Sequence, residues 1–262
     1  NRNVQTDTGA PLPDWGFGGS PIVYGKLLIL SVGEAGMALD KETGKTVWES
    51  AKKAAGYTTP VIAKRAGREE LILGSGQGFL GVDPSTGKEL WRMKWLTQYG
   101  VNAADPIVAD DAVFISSGYG KGGALFKPGT DAEPEFLWKT KILKTQLNAA
   151  VLHEGHLYGV DGDTTNKATL RCVELATGKE KWADTDHGIR SFMIADGKLV
   201  LVSERGELMV APATPDSFKA TVRAQILGGK TWTSPTLANG IVYARNSRGD
   251  VVSVDLRNSA VK

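Results

Sequence analysis

Side chains able to do chemistry are few in this chain and poorly clustered. Asn102 and Asp105 stand three apart and could offer an amide and a carboxylate oxygen to a hard cation such as Ca²⁺. Asp105 precedes Pro106, where a turn-forming role is the competing reading. Asp161-Gly162-Asp163-Thr164-Thr165-Asn166 is oxygen-rich like a calcium loop. It lacks the regular spacing and closing Glu of an EF-hand, which favours a polar inter-strand loop. His153 and His156 flank a Glu-Gly turn, with His187 distant. On strands an i, i+3 pair points to opposite faces unless the turn reverses it, so no zinc site is expected. Cys172 is the single cysteine, which excludes an internal disulfide and any multi-cysteine metal site. Its setting, LRCVEL, reads as core. Ser20 and Ser234 precede prolines without a nearby histidine, and GSGQG at 74–78 has no lysine and leads into a strand. The first two read as strand entries and the last as a turn, not a phosphate loop.

The elements that would position these residues are legible from composition and repetition. The chain has 262 residues, 31 Lys plus Arg against 29 Asp plus Glu, and a net charge of +2. That balance argues against nucleic acid as a partner, because such binding relies on a clear excess of cations. Hydrophobic residues at 41% and charged residues at 23% describe a folded domain. No apolar run approaches the ~20 residues needed to span a bilayer, so no transmembrane segment is expected. The chain begins with Asn1 and shows no signal peptide, which by itself says nothing about compartment. With 32 glycines and 11 prolines, many short strands joined by turns are favoured over long helices.

A repeat organises those strands. Residues 36–48 read GMALDKETGKTVW, 78–91 read GFLGVDPSTGKELW and 170–182 read LRCVELATGKEKW. Trp48, Trp91, Trp138 and Trp182 recur at intervals of 43, 47 and 44 residues. Each unit reads as four strands; in the first these are Pro21–Tyr24, Lys26–Val32, Gly36–Asp40 and Lys45–Glu49. Gly44, Gly87 and Gly178 supply the left-handed position in the turn before the fourth strand, and Asp40 and Thr43 can bond nearby backbone. Four-stranded units of 40–50 residues predict an all-β propeller. Six blades fit 18–257, at about 18–50, 56–95, 99–141, 145–184, 188–226 and 230–257, with 258–262 as a tail. The third and fifth carry degraded fourth strands and the sixth has none, so residues 1–17 are a candidate closing strand. A short helix is predicted at Thr214–Lys219.

The pattern A-L-D-x-x-T-G-K-x-x-W resembles the tryptophan-docking motif of the PQQ-like propeller repeat, shared by quinoprotein alcohol dehydrogenases and BamB-type outer-membrane assembly lipoproteins. The match is strong at Ala38–Trp48 and Gly81–Trp91 and good at Cys172–Trp182. DWGFGGSPIVYG, GYGKGGAL, GHLYGVDG and AQILGGKTWTSPTLANGIVYARN are similar to segments of exported bacterial PQQ-binding-like propellers. In that group a further pair of blades usually precedes the segment matching Trp15-Gly16-Phe17, which implies the last six blades of an eight-bladed parent. The resemblance also implies a periplasmic or secreted location and a structural role for Trp48, Trp91, Trp138 and Trp182. Quinone-using relatives carry adjacent cysteines over the cofactor, a tryptophan beneath it, acidic and amide ligands for Ca²⁺, and an aspartate base. One cysteine cannot supply the adjacent pair.

The expectation is therefore a non-catalytic propeller, without cofactor, that binds a protein or other macromolecule through rim loops, central channel or an edge strand. The alternative is a PQQ- and Ca²⁺-dependent oxidoreductase, or a degenerate relative, with Trp232, Asn102 and Asp105 as channel candidates. Further candidates for ligand or partner contact are Asn148, Arg190, Tyr119, Lys121, Glu204, Arg205, Asn246 and Arg248. A WD-repeat scaffold is disfavoured because the His and Trp-Asp signature is missing.

Overall fold

The computed structural model describes residues 1–129, 133–162 and 168–257. The 258–262 tail and residues 163–166 of the 161–166 segment, expected to be a polar inter-strand loop, lie outside the described residues. Among the described residues the strands form six antiparallel meanders in chain order, five of four strands and one of three. This is the β-propeller architecture that the repeat predicts.

The chain divides into two compact units, Asn1–Ala149 and Ala150–Lys262. In the first, sheet 1 comprises β1 (Ile22–Tyr24), β2 (Leu27–Leu30), β3 (Met37–Asp40) and β4 (Thr46–Glu49). Sheet 2 comprises β5 (Val61–Arg65), β6 (Arg68–Ser75), β7 (Gly78–Val82) and β8 (Glu89–Lys94). Sheet 3 comprises β9 (Ile107–Ala109), β10 (Ala112–Ser117), β11 (Gly122–Lys127) and β12 (Glu135–Thr140). In the second unit, sheet 4 is β13 (Val151–His153), β14 (His156–Asp161), β15 (Thr169–Glu174) and β16 (Glu180–Asp184). Sheet 5 is β17 (Ile189–Ala195), β18 (Lys198–Ser203), β19 (Glu207–Pro212) and β20 (Val222–Gln225). Sheet 6 is β21 (Thr236–Ala238), β22 (Ile241–Arg245) and β23 (Val251–Asp255).

Middle strands are continuous apolar runs because both of their faces are covered. Leu71 and Leu73 of β6 pack with Ile29, Ala38 and Trp48 of sheet 1. Ile72 between them points the other way, into Val113, Ile115 and Phe126 of sheet 3. The second unit repeats this: Leu199 and Leu201 pack toward Tyr158 and Cys172, and Val200 and Val202 toward Val242 and Ala244.

The turn chemistry follows the motif. Asp40 Oδ1 accepts from the Thr43 amide at 2.8 Å and from its hydroxyl at 2.7 Å, while Gly44 N donates to Asp40 O at 2.8 Å. Asp83 and Gly87 repeat the pattern, and Gly178 N donates to Glu174 O. Gly44, Gly87 and Gly178 all adopt φ near +70°, where a Cβ is strained. Trp48 lies across the equivalent turn of sheet 2, donating from Nε1 to Pro84 O at 3.0 Å with Gly87 under its ring. Trp182 does the same to Thr214 O of sheet 5 at 2.8 Å. Trp138 is half-buried beside Phe114.

Trp91 differs. Its Nε1 donates to Glu70 Oε2 at 2.8 Å, a fully buried carboxylate that also accepts from Arg65 at 3.0 Å and Arg68 at 2.9 Å. The corresponding segment of sheet 3, KPGTDAEP, lacks the TGK sequence of the turn that receives Trp48. The Arg65 guanidinium instead reaches toward Asp111 O and Pro128 O, both at 3.5 Å.

Three expectations are corrected. Residues 1–17 hold no strand: Val4–Thr8 is a short helix, capped by Asn3 Oδ1 accepting from Thr6 N and ended by Gly9 at φ +65°. Thr214–Lys219 is not helical; Thr214 Oγ1 and Asp216 bond each other and hold a bend there instead. The fourth strands of sheets 3 and 5 are formed, β12 with a register shift between Leu125 and Phe126 of the kind that sheets 1, 2 and 4 also show at this strand pair.

Candidate functional site

In an antiparallel meander the hairpin after the second strand and the exit of the fourth lie at the same end of the sheet. In the first unit these segments interlock. Gly76 N donates to Ala54 O at 3.0 Å, and Tyr57 N to Asn102 O at 2.9 Å. The Asn102 side chain is fully buried, with Nδ2 donating to Ser75 O at 2.8 Å and Trp95 O at 3.2 Å, and Oδ1 accepting from Ser117 Oγ at 2.8 Å. All of its polar capacity holds loops together. Asp105 Oδ1 accepts from Thr59 N at 2.7 Å, and burial pushes its carboxyl up against that bond.

Around this framework lies a patch of aromatic and cationic side chains. Tyr99 and Tyr119 meet edge to face at 5.7 Å, both with left-handed backbone, φ +60° and +50°. A non-glycine residue in that region is uncommon and marks a conformation imposed by its surroundings. Trp15 and Tyr57 form a second edge-to-face pair at 5.8 Å. Trp15 is 62% exposed and Tyr99 63%. Lys121 lies over the ring of Trp95 at 4.5 Å, where Lys139, Thr140 and Lys141 complete a recess of about 290 Å³. Burial holds the Lys121 ammonium below its usual pKa, and Lys141 and Lys139 push it further the same way.

A second recess of about 220 Å³ has Glu34, Lys53, Gln77 and Arg92 in its wall. Glu34 is buried and accepts from Arg92 at 2.6 Å and Lys53 at 3.1 Å. Burial alone would raise its carboxyl, but the two cations outweigh it and the net shift is downward.

In the second unit three candidates are brought together. Trp232 Nε1 donates to Glu204 Oε1 at 3.2 Å, and Arg190 Nε to Glu204 Oε2 at 3.4 Å. Arg190 sits 5.8 Å from the Trp232 ring and Lys230 3.9 Å. Asn246 is a loop staple, its Nδ2 donating to Gly228 O and Asp250 Oδ2, its Oδ1 accepting from the amides of Arg248 and Asp250. Arg205 and Arg248 are exposed; the Arg205 carbonyl accepts from Gln225, and Arg248 lies beside Gly229. Asn148 is half-buried in the stretch after β12.

The donor set that a calcium-bound quinone requires is not assembled by these residues. Asn102 is committed to Ser75 O, Trp95 O and Ser117 Oγ, and Asp105 belongs to no cluster of three or more His, Cys, Asp or Glu side chains among the described residues. Cys172 is fully buried in sheet 4, where burial pushes its thiol up to about 11. His153 and His156 stand directly opposite each other, because Glu154-Gly155 forms a tight hairpin turn that reverses the chain. Trp95, Tyr99, Lys139 and Lys141 were not singled out by sequence; the Lys-Thr-Lys alternation at the end of β12 is the signal that could have found two of them.

A family model described as outer membrane protein assembly factor BamB matches residues 10–184. A search of curated proteins finds no sequence match. Among solved structures, BamB from Moraxella catarrhalis superposes with a TM-score of 0.66 at 17% identity, covering 89% of this chain and 70% of that one. The computationally designed protein Ika8 gives 0.65 at 12% identity, covering 90% and 70%. Quinohemoprotein alcohol dehydrogenase from Comamonas testosteroni gives 0.62 at 13% identity, covering 87% of this chain and 51% of that one. At these identities the structural likeness establishes the fold alone.

Proposed function

The chain belongs to the BamB family of PQQ-like β-propellers, and from that premise we propose that it is a non-catalytic binding scaffold that engages a protein partner through its loop face. One observation carries the reading: the aromatic pairs Trp15–Tyr57 and Tyr99–Tyr119, with Trp15 and Tyr99 exposed, set beside interlocked loops. Rigid aromatic side chains supply contact area at low entropic cost and are enriched where proteins meet. The family description, an assembly factor, supports the same class of role and a periplasmic or secreted location. Among the described residues no helix is long and apolar enough to cross a membrane.

The test is site-specific photo-crosslinking in the cells that make the protein, with a benzophenone side chain at Tyr99 or at Lys45. Lys45 sits in the β3–β4 turn of sheet 1, at the end of that sheet away from its β2–β3 hairpin. A discrete protein adduct from Tyr99 and none from Lys45 is expected. Equal, diffuse labelling from both positions would reject the loop face as the partner surface. The quinoprotein alternative draws on the cationic setting of Trp232 and is tested by anaerobic calorimetry with PQQ and Ca²⁺. No saturable heat is expected, because Asn102 and Asp105 are held by loop contacts.

A further inference from the structure

We propose that the recess between sheets 2 and 3, where Lys121, Lys139 and Lys141 converge on Trp95, binds the carboxylates of an acidic peptide segment. Choosing a protein segment as the occupant rests on the scaffold reading above. The four residues come from three separate stretches: the exit of β8, the hairpin between β10 and β11, and the end of β12. Lys139 lies in the last residues of β12 and Lys141 just past its end, in a bend, and both line the recess. Among the described residues none of the three ammonium groups is paired with a carboxylate; the Lys139 ammonium lies 3.4 Å from the Phe136 ring centre and that of Lys121 lies over Trp95.

The neighbouring recess shows the contrast. There Glu34 is neutralised by Arg92 and Lys53, so its charges are internally balanced. The lysine recess is of one sign, with Lys121 half-buried and Lys139 and Lys141 exposed, and gathering like charges is unfavourable until an anion enters. Burial is the main reason the Lys121 ammonium is held below its usual pKa, and Lys141 and Lys139 add to it in the same direction. A second, independent sign is Trp95 itself. It is 6% exposed, and its Nε1–H is buried with no acceptor among the described residues. A buried donor without an acceptor is costly, so a carboxylate oxygen that reaches it on binding would be favoured. Three point charges spread over two segments suit successive carboxylates along a chain better than one compact oxyanion. The Tyr99–Tyr119 pair lies two residues from Lys121 along the chain and offers the rest of a peptide an apolar shelf.

The experiment is fluorescence anisotropy of fluorescein-labelled hexaglutamate titrated with the full chain at low salt and at about 150 mM salt. Saturable binding is expected, weakened about threefold to tenfold by each of Lys121→Gln, Lys139→Gln and Lys141→Gln. Lys121→Arg should bind more tightly than Lys121→Gln, Lys45→Gln should bind as the parent does, and labelled hexalysine should not bind. Trp95→Phe, which keeps a ring and removes the N–H, should weaken binding about threefold. Binding that ignores all three glutamine variants would overturn the proposal, as would inorganic phosphate competing as well as the peptide. If hexaglutamate fails while Tyr99 still crosslinks a protein, the recess is misassigned and the scaffold stands. Failure of both rejects the scaffold reading itself.

Discussion

Glu34 and Asp105 are both carboxylates at the loop end of the first unit, and their surroundings push them in opposite directions. Glu34 is held below the usual carboxylate range because Arg92 and Lys53 outweigh its burial. Its stabilisation is present above the ordinary value of 4.5 and is lost as pH falls through the lower folded value. Urea midpoints should therefore fall on acidification below about pH 4.5, and Glu34→Gln should flatten that part of the profile. Asp105 is raised by burial, with only the Thr59 amide opposing it. Ionising it disfavours the folded state as pH rises through its ordinary value, so Asp105→Asn, which keeps the accepting oxygen, should raise the thermal midpoint at pH 7. If Asp105 were a calcium ligand, adding Ca²⁺ would raise the parent's midpoint and not the variant's; no shift is expected in either. Asp105 was visible in the sequence as a polar turn position. The opposite environments of the two carboxylates were not, because Arg92 lies 58 residues from Glu34 in the chain.

At the scale of elements the D-x-x-T-G-K turn was legible in full, since its hydrogen bonds join residues at most five apart. Where it fits its neighbour was not. Gly44 and Gly87 occupy the same turn position, at φ +70° and +71°. A Cβ on Gly44 would meet only Arg2 Cδ at 4.0 Å, whereas one on Gly87 would lie 2.5 Å from the Trp48 ring. Gly44→Ala should cost about 1 kcal/mol, the strain of left-handed backbone. Gly87→Ala should cost about 3 kcal/mol, because the indole must also move and strain its bond to Pro84. Denaturant midpoints of the two variants compare them directly, and equal losses would mean that the Trp48 contact is slack. The Arg65–Glu70–Trp91 cluster was hidden altogether, since the Trp91 repeat position reads like that of Trp48 and only the neighbouring turn differs. Removing one partner leaves a buried charge, so Glu70→Gln should cost about 3–5 kcal/mol, more than an exposed carboxylate such as Asp196→Asn.

Over the whole molecule, repetition made the architecture readable while leaving function to local departures from the repeat. The four-strand period, the turns and the apolar middle strands are all properties of near neighbours, and one chain carries several copies of each. Trp95, Tyr99, Tyr119 and the three lysines are single features outside the motif, and only folding brings them together. The net charge of +2 is a global quantity that conceals this local cationic group. Its consequence for partners can be stated. Binding to duplex DNA is driven by counterion release in proportion to the phosphates neutralised, with a salt slope of about −0.9 per phosphate. Three lysines on an otherwise balanced surface neutralise too few phosphates to hold duplex at physiological salt, and the remaining acidic residues repel its flanks. A labelled duplex of about 20 base pairs should show no saturable shift at about 150 mM salt. Retention of duplex under those conditions, with a slope steeper than three lysines allow, would place a larger basic surface on the molecule than its charge balance provides.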